Sequence, residues 1–290
     1  MTDINDGKKI IAPDAVKQIA LVGTGTIGAA WAAHFLARGL DVMASDPGPH
    51  AEKQLRTAVD NSWPSLVELG LAKEASRERL RFTSSIEKAV EDADFIQEST
   101  PEREAIKDQV LAAISTAAKP SVVIASSTSG IMPTRLQAQC ENPQRLVVGH
   151  PFNPVHLIPL VEVVGGEKTS PETIRWAMAF YQRWGKTPLH CRVEIANHLA
   201  NRLQYAVLAE AVQLVSGGVA TTEELDTALS AGPGLRWGLL GTFITAHMAA
   251  EGGLRDVLGG KFMTSSEFQD LDEQIIEAMV NDVQTQVAGR

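Results

Sequence analysis

The chain has 290 residues, 44% of them hydrophobic and 21% charged, the composition of an ordinary folded protein with length for two domains. Lys and Arg number 26 against 35 Asp and Glu, a net charge of −9. This balance argues against nucleic acid or an anionic membrane as partner, since both are bound through basic surfaces that release counterions. No run approaches the ~20 apolar residues of a membrane-spanning helix. The acidic N-terminal stretch lacks the apolar core of a signal peptide, so a cytoplasmic location is expected. Cys140 and Cys191 stand far apart without a CxxC or a neighbouring His pair. Two reduced thiols are therefore expected, and no metal site.

Short β-branched runs alternate with helical patterns through the first half of the chain, which predicts βαβ units and a parallel sheet. Gln18–Val22 reads as a strand entering a Gly-rich turn, and Ile27–Arg38 as the helix that follows, stopped by Gly39. Asp41–Ser45 is the second strand. Ala51–Leu69 is helical, broken or kinked at Pro64. Strands are expected at Arg79–Phe82, Asp94–Glu98, Val122–Ser126, Leu146–His150, Val161–Val164 and Thr187–Val193. Helices are expected at Ile86–Glu91, Glu102–Ala117, Pro133–Gln139 and Pro171–Trp184, the last capped near Thr169-Ser170. From Ile195 apolar residues recur at helical spacing. Thr221-Thr-Glu-Glu224 fits a capping box, Gly232-Pro-Gly234 reads as a loop, and Gly259-Gly260 as a turn. The predicted fold class is α/β: a Rossmann-type doubly wound sheet over residues 1–190, then an all-helical domain over 191–290.

Gly23-Thr-Gly25-Thr26-Ile27-Gly28 satisfies GxGxxG between a predicted strand and a predicted helix, the context in which the motif holds a dinucleotide pyrophosphate. Asp46 ends the next strand. A carboxylate there accepts from ribose hydroxyls and repels a 2′-phosphate, so NAD is the expected cofactor rather than NADP.

His150 ends an apolar strand, and Glu162 lies twelve residues later within Leu160-Val-Glu-Val-Val164. A carboxylate in such a run needs a partner. A histidine would serve, either as a general base whose tautomer the carboxylate fixes or as half of a structural pair. Spacing alone leaves both open.

Five segments then carry a resemblance over essentially the whole chain: Gly23-x-Gly25-x-x-Gly28, Ser127-Thr-Ser129, His150-Pro-Phe-Asn-Pro154, Leu160-Val-Glu-Val163 and Asn201-Arg-Leu203. They resemble the 3-hydroxyacyl-CoA dehydrogenase superfamily. The resemblance implies that His150 takes the proton from a 3-hydroxyl and that Glu162 orients it. It implies that Ser129 and Asn201 hydrogen-bond the substrate oxygen or hold the catalytic groups. Glu98 matches an acidic position near the nicotinamide ribose. A homodimer through the helical domain is also implied.

Asn61-Ser-Trp-Pro64, Phe95–Arg103, His150–Val155 and Gly232–Trp237 are most similar to the L-carnitine dehydrogenase branch. L-Carnitine is thus the expected small-molecule substrate. Its quaternary ammonium cannot donate a hydrogen bond, so aromatic faces are the available contacts. Phe152, Trp237 and Phe243 are candidates for it, or are core packing. Arg236 either pairs with the carboxylate or anchors the Gly232–Trp237 loop. The alternatives are a 3-hydroxyacyl-CoA or L-gulonate dehydrogenase and, from another class, a catalytically silent NAD-binding protein akin to lambda-crystallin. His190, His198 and His247 are expected to be packing or surface residues. Glu98, Glu102 and Glu104 are expected to be a helix-start cluster, Glu98 apart from its ribose role.

Overall fold

The computed structural model describes residues 3–4, 8–258 and 271–289. They fall into two compact units, Met1–Gln204 and Tyr205–Arg290. The first unit is built on strands β1 (Gln18–Val22), β2 (Asp41–Ser45), β3 (Leu80–Thr83), β4 (Phe95–Glu98), β5 (Val123–Ser126), β6 (Leu146–Pro151), β7 (Leu160–Gly165) and β8 (Thr187–Cys191). They form one eight-stranded sheet in the order β8-β7-β6-β5-β4-β1-β2-β3. Every neighbouring pair is parallel except β6 and β7. The chain winds outward from β1 in one direction and from β4 in the other, so a switch point opens at the C-terminal edge between them.

The helices of this unit are α1 (Thr26–Ala37), α2 (Ala51–Leu69), α3 (Ile86–Val90), α4 (Glu104–Ala117), α5 (Pro133–Leu136) and α6 (Pro171–Arg183). Side chains alternate along each strand, so the sheet feeds two cores. Phe95 and Leu21 pack with Trp31, Phe35, Leu55, Phe180 and Tyr181 beneath α1, α2 and α6. Ile96, Ile124 and Val148 pack with Val90, Leu111, Ile114 and Leu136 beneath α3, α4 and α5. Parallel strands covered on both faces read as unbroken apolar runs, which is why they were visible in the sequence.

Three expectations need correction. Helix α2 runs unbroken through Pro64. Pro64 cannot donate to the Asp60 carbonyl, and Asp60 lies on the exposed side of the helix, where loss of that bond is least costly. The helix expected from Ile195 begins instead as α7 (Ala200–Ser216). Asn197 and His198 have φ of 64° and 51°, a left-handed conformation that no α-helix can include. Residues 191–204 belong to the first compact unit, where the Leu199 and Ala200 N–H groups are held by Glu162 on β7.

The second unit continues α7 and adds α8 (Thr222–Ala231), α9 (Pro233–Leu240), α10 (Thr242–His247), α11 (Leu254–Leu258) and α12 (Glu273–Ala288). Both hydrogen bonds of the Thr221–Glu224 capping box are present. The third correction lies here: the loop expected at Gly232-Pro-Gly234 is the N-cap and first turn of α9. Pro233 takes the first helical position, where its fixed φ starts the helix. Ile244, Leu254, Leu258, Ile276, Val280 and Val283 form the core of this unit. Gly259-Gly260 lies outside the described residues.

Ser170 caps α6 by accepting the N–H of Thr173 at 3.1 Å. Ser170→Ala is expected to lower stability by ~1 kcal/mol, measured as a reduced urea midpoint at unchanged m-value.

Candidate active site

The C-terminal edge of the sheet gathers the motif residues. Strand β1 runs into Gly23, whose φ is 91°. A Cβ there would stand 2.7 Å from the Ser99 carbonyl and the Thr100 nitrogen. A Cβ on Gly28 would overlap the Gly23 carbonyl oxygen, so strand and helix approach closely only because both residues are glycine. Gly25 differs: no heavy atom lies within 4 Å of the place its Cβ would take. Gly25 caps α1, and Thr26, Ile27 and Gly28 form its first turn, where N–H groups have no intrahelical acceptor. Open space in front of N–H groups at the positive end of a helix fits a pyrophosphate.

Asp46 fastens this turn to β2. Its Oδ2 accepts the Thr24 N–H at 2.9 Å and the Thr24 hydroxyl at 3.1 Å, and its Oδ1 accepts the Gly48 N–H at 2.8 Å. Oδ1 retains a lone pair for a ribose hydroxyl. These residues fit a bound NAD.

Glu98 does not stand where a ribose could reach it. The side chain is wholly buried. It accepts from Lys107 Nζ at 2.9 and 3.1 Å, from Thr100 and from Ser126, which occupies both oxygens. The expected cofactor contact is thus a buried ion pair beneath the loop. Glu102 lies above it, outside the helix it was expected to start, since α4 begins at Glu104. One oxygen of Glu102 accepts the Thr128 hydroxyl and the N–H groups of Ser129 (3.1 Å) and Gly130 (3.0 Å). Burial pushes this carboxyl up, but Thr128, Lys107 and the two N–H groups outweigh it and hold the group below the ordinary glutamate range. The sequence held no signal for this role, because the two segments are separated by a whole βα unit.

His150 and Glu162 face each other across the antiparallel β6–β7 ladder. His150 Nδ1 lies 2.9 Å from Glu162 Oε2, with the carboxylate fully buried and the imidazole 5% exposed. The other oxygen of Glu162 accepts the N–H groups of Leu199 at 2.8 Å and Ala200 at 2.9 Å. Burial opposes the charge of Glu162, yet the bonds from His150, Ala200 and Leu199 prevail and its carboxyl lies below the usual range. An ionised Glu162 can only accept, so Nδ1 of His150 carries a hydrogen and donates it.

His198, expected to be a packing or surface residue, is packed against His150. It is buried, its ring centroid is 5.1 Å from that of His150, and its Nε2 lies 3.3 Å from the Thr128 carbonyl. Burial, and then His150, hold its pKa below the ordinary histidine value. Its left-handed backbone is the only signal, and that is invisible in sequence. His190 is exposed on the edge strand β8, and His247 accepts the Leu254 N–H at 3.2 Å within the second unit.

The residues expected to accompany the pair lie next in sequence to groups around it. Asn201 follows the Ala200 N–H held by Glu162, and Ser129 follows Thr128, whose carbonyl faces His198. Both are half-buried. Phe152 sets its ring edge-on to His150 with centroids 5.0 Å apart. Arg236 and Trp237 are on α9 and Phe243 on α10 of the second unit; Arg236 and Phe243 are exposed and Trp237 is half-buried. Cys191 is buried with Sγ 3.9 Å from Glu162, and burial, then that carboxylate, push its thiol up to about 11. Among the described residues no cluster of His, Cys, Asp and Glu could hold a metal, and no helix is long and apolar enough to cross a membrane.

Comparison with known proteins places the chain in a family. Residues 18–195 match the 3-hydroxyacyl-CoA dehydrogenase NAD-binding domain, and residues 198–287 match its C-terminal domain. An L-carnitine dehydrogenase of Bacillus cereus is 51% identical over 84% of this chain and 76% of its own length. An L-carnitine dehydrogenase of Streptomyces griseus is 46% identical over 96% of this chain and 85% of its own. Among solved structures, an NAD+-dependent 5-formyl-3-hydroxy-2-methylpyridine 4-carboxylic acid 5-dehydrogenase superposes with a TM-score of 0.77 at 32% identity, covering 92% of this chain and 87% of that one. Matched by both domains across most of its length, the chain belongs to the 3-hydroxyacyl-CoA dehydrogenase family.

Proposed function

We propose that this protein is an NAD-dependent L-carnitine dehydrogenase that oxidises the 3-hydroxyl to the ketone. The observation that carries the chemistry is the His150–Glu162 pair at 2.9 Å, on the same sheet edge as the Gly23–Gly28 turn. The substrate follows from relatives of that name at 45–53% identity. Bound NAD+ supplies the hydride acceptor. His150 Nε2 takes the hydroxyl proton, and Glu162 stabilises the imidazolium that results. Ser129 and Asn201, whose polar side chains are not engaged by other described residues, donate to the oxygen as it becomes a carbonyl. Phe152 offers an aromatic surface to the quaternary ammonium, worth about 0.5–2 kcal/mol. Trp237 and Phe243 are further candidates for that contact, and Arg236 for the carboxylate. The cytoplasm is the expected location.

Helix α7 buries none of its side chains although Leu203, Leu208, Val212 and Val215 are 67%, 54%, 55% and 37% exposed. A second copy of the chain, forming a homodimer through the helical domain, is the occupant we assign to this apolar face.

Three measurements test these readings. NADH formation should be rapid with L-carnitine and slow with a 3-hydroxyacyl-CoA or L-gulonate, and His150→Ala should lower kcat/KM by about 10²–10⁴. Turnover of the CoA ester instead would overturn the substrate, and unimpaired His150→Ala would overturn the base. Glu162 has a depressed carboxyl in the folded state, so it stabilises the fold above the ordinary glutamate pKa of 4.5 and loses that contribution as pH falls below it. Glu162→Gln should therefore lower stability at pH 7 and flatten its decline between neutrality and acid, followed by urea melts across pH. Light scattering should give a dimeric mass that Leu208→Glu/Val212→Glu reduces to that of one chain.

A further inference from the structure

On the face of the sheet opposite the His150–Glu162 pair, a file of buried hydrogen bonds runs toward the Gly-rich turn. Tyr181 on α6 and Gln97 on β4 are both fully buried. Tyr181 donates its hydroxyl to Gln97 Oε1 at 2.6 Å. Gln97 Nε2 donates to Ser127 Oγ at 2.8 Å and points at the Gly149 carbonyl at 3.4 Å. Ser127 Oγ lies 2.8 Å from Ser99 Oγ.

The polarity of this file is fixed at one end. The Gly149 carbonyl only accepts, so it holds the amide nitrogen of Gln97 on its own side and turns Oε1 toward Tyr181. Tyr181 must then donate, and Ser127 must accept from Gln97. Ser127 keeps its own hydroxyl hydrogen, and across its 2.8 Å contact with Ser99 either hydroxyl can be the donor. Where Ser127 donates, the Ser99 hydrogen has no acceptor among the described residues.

Ser99 also stands at the right place. Its carbonyl lies 2.7 Å from where a Gly23 Cβ would be, its Cβ lies 3.6 Å from where a Gly28 Cβ would be, and its N–H donates to the Val22 carbonyl at 2.7 Å. It is packed directly on the turn that fits the dinucleotide, and it is half-buried, not sealed.

We propose that the Tyr181–Gln97–Ser127–Ser99 file presents the Ser99 hydroxyl as a donor to an oxygen of the phosphate–ribose backbone of bound NAD. Ser99 is then a cofactor-binding residue, with Tyr181, Gln97 and Ser127 as its positioning residues. Gly149 belongs to the device as well: a Cβ there would overlap the Tyr181 hydroxyl, so that position is left empty for the first donor. The proposal rests on the NAD reading and is independent of the substrate.

Calorimetric titration of NAD+ into the substrate-free protein tests it. Ser99→Ala should weaken NAD+ binding about 3–10-fold, the range of one neutral hydrogen bond. Tyr181→Phe, which keeps the ring and removes the first donor, should weaken it by a smaller factor. The double variant should bind no more weakly than Ser99→Ala alone, because Tyr181 acts only through Ser99. Thermal unfolding of each variant, followed in parallel, reports any loss of fold, and Ser99→Ala carries the test should Tyr181→Phe fail to fold. Binding of NAD+ by Ser99→Ala within about 1.5-fold of wild type overturns the proposal, as do losses that simply add. Failure of the wild-type protein itself to bind NAD+ would instead remove the cofactor reading, and this proposal with it.

Discussion

A carboxylate taken out of water into a sheet is costly unless its lone pairs are met, since an uncompensated buried charge is among the most destabilising features a protein can hold. Glu162 meets this condition with donors from two sources. His150 approaches one oxygen from the neighbouring strand, and the Leu199 and Ala200 N–H groups approach the other from the start of α7. The same interaction therefore fixes an imidazole tautomer, caps a helix and sets the course of the chain through Asn197 and His198. Much of the site hangs on that one side chain.

The Gly-rich turn is a second fixed point, held differently. Gly23 and Gly28 are needed for what they exclude, whereas Gly25 is needed for the space it leaves. Asp46 on one side and Ser99 on the other bind the turn to its neighbouring strands through backbone and hydroxyl groups. Glu102 does the same for Thr128–Gly130, and the buried Glu98–Lys107 pair lies beneath both. These two loops are each pinned by a carboxylate that accepts several N–H or O–H groups at once.

What could be read in the sequence follows from range. Gly23, Gly25, Gly28 and Asp46 belong to one βαβ unit, so their roles are written in local spacing. The His150–Glu162 pairing was also legible, because a short antiparallel connection places residues twelve apart opposite each other. Glu102 and His198 were not, because their partners come from segments about 26 and 48 residues away that meet only in the folded sheet, at a range where spacing says nothing. The late start of α7 was hidden for a related reason. Helical periodicity continues through residues 195–199, while a tertiary bond to Glu162 and two left-handed residues decide where the helix begins. Glu98 misled because a carboxylate at a strand end looks alike whether it faces a ligand or a lysine.

Strand β6 carries two neighbouring residues that face opposite sides of the sheet. His150 belongs to the pair proposed as the base. On the other side of the same strand, Gly149 helps hold the amide of Gln97, which in turn takes its hydrogen from Tyr181. Burial pushes the Tyr181 phenol far above its ordinary value, so its hydroxyl remains a donor to Gln97 at neutral pH. Alternation along one strand thus sets the proposed proton acceptor and a fixed donor on opposite faces of the sheet, one residue apart.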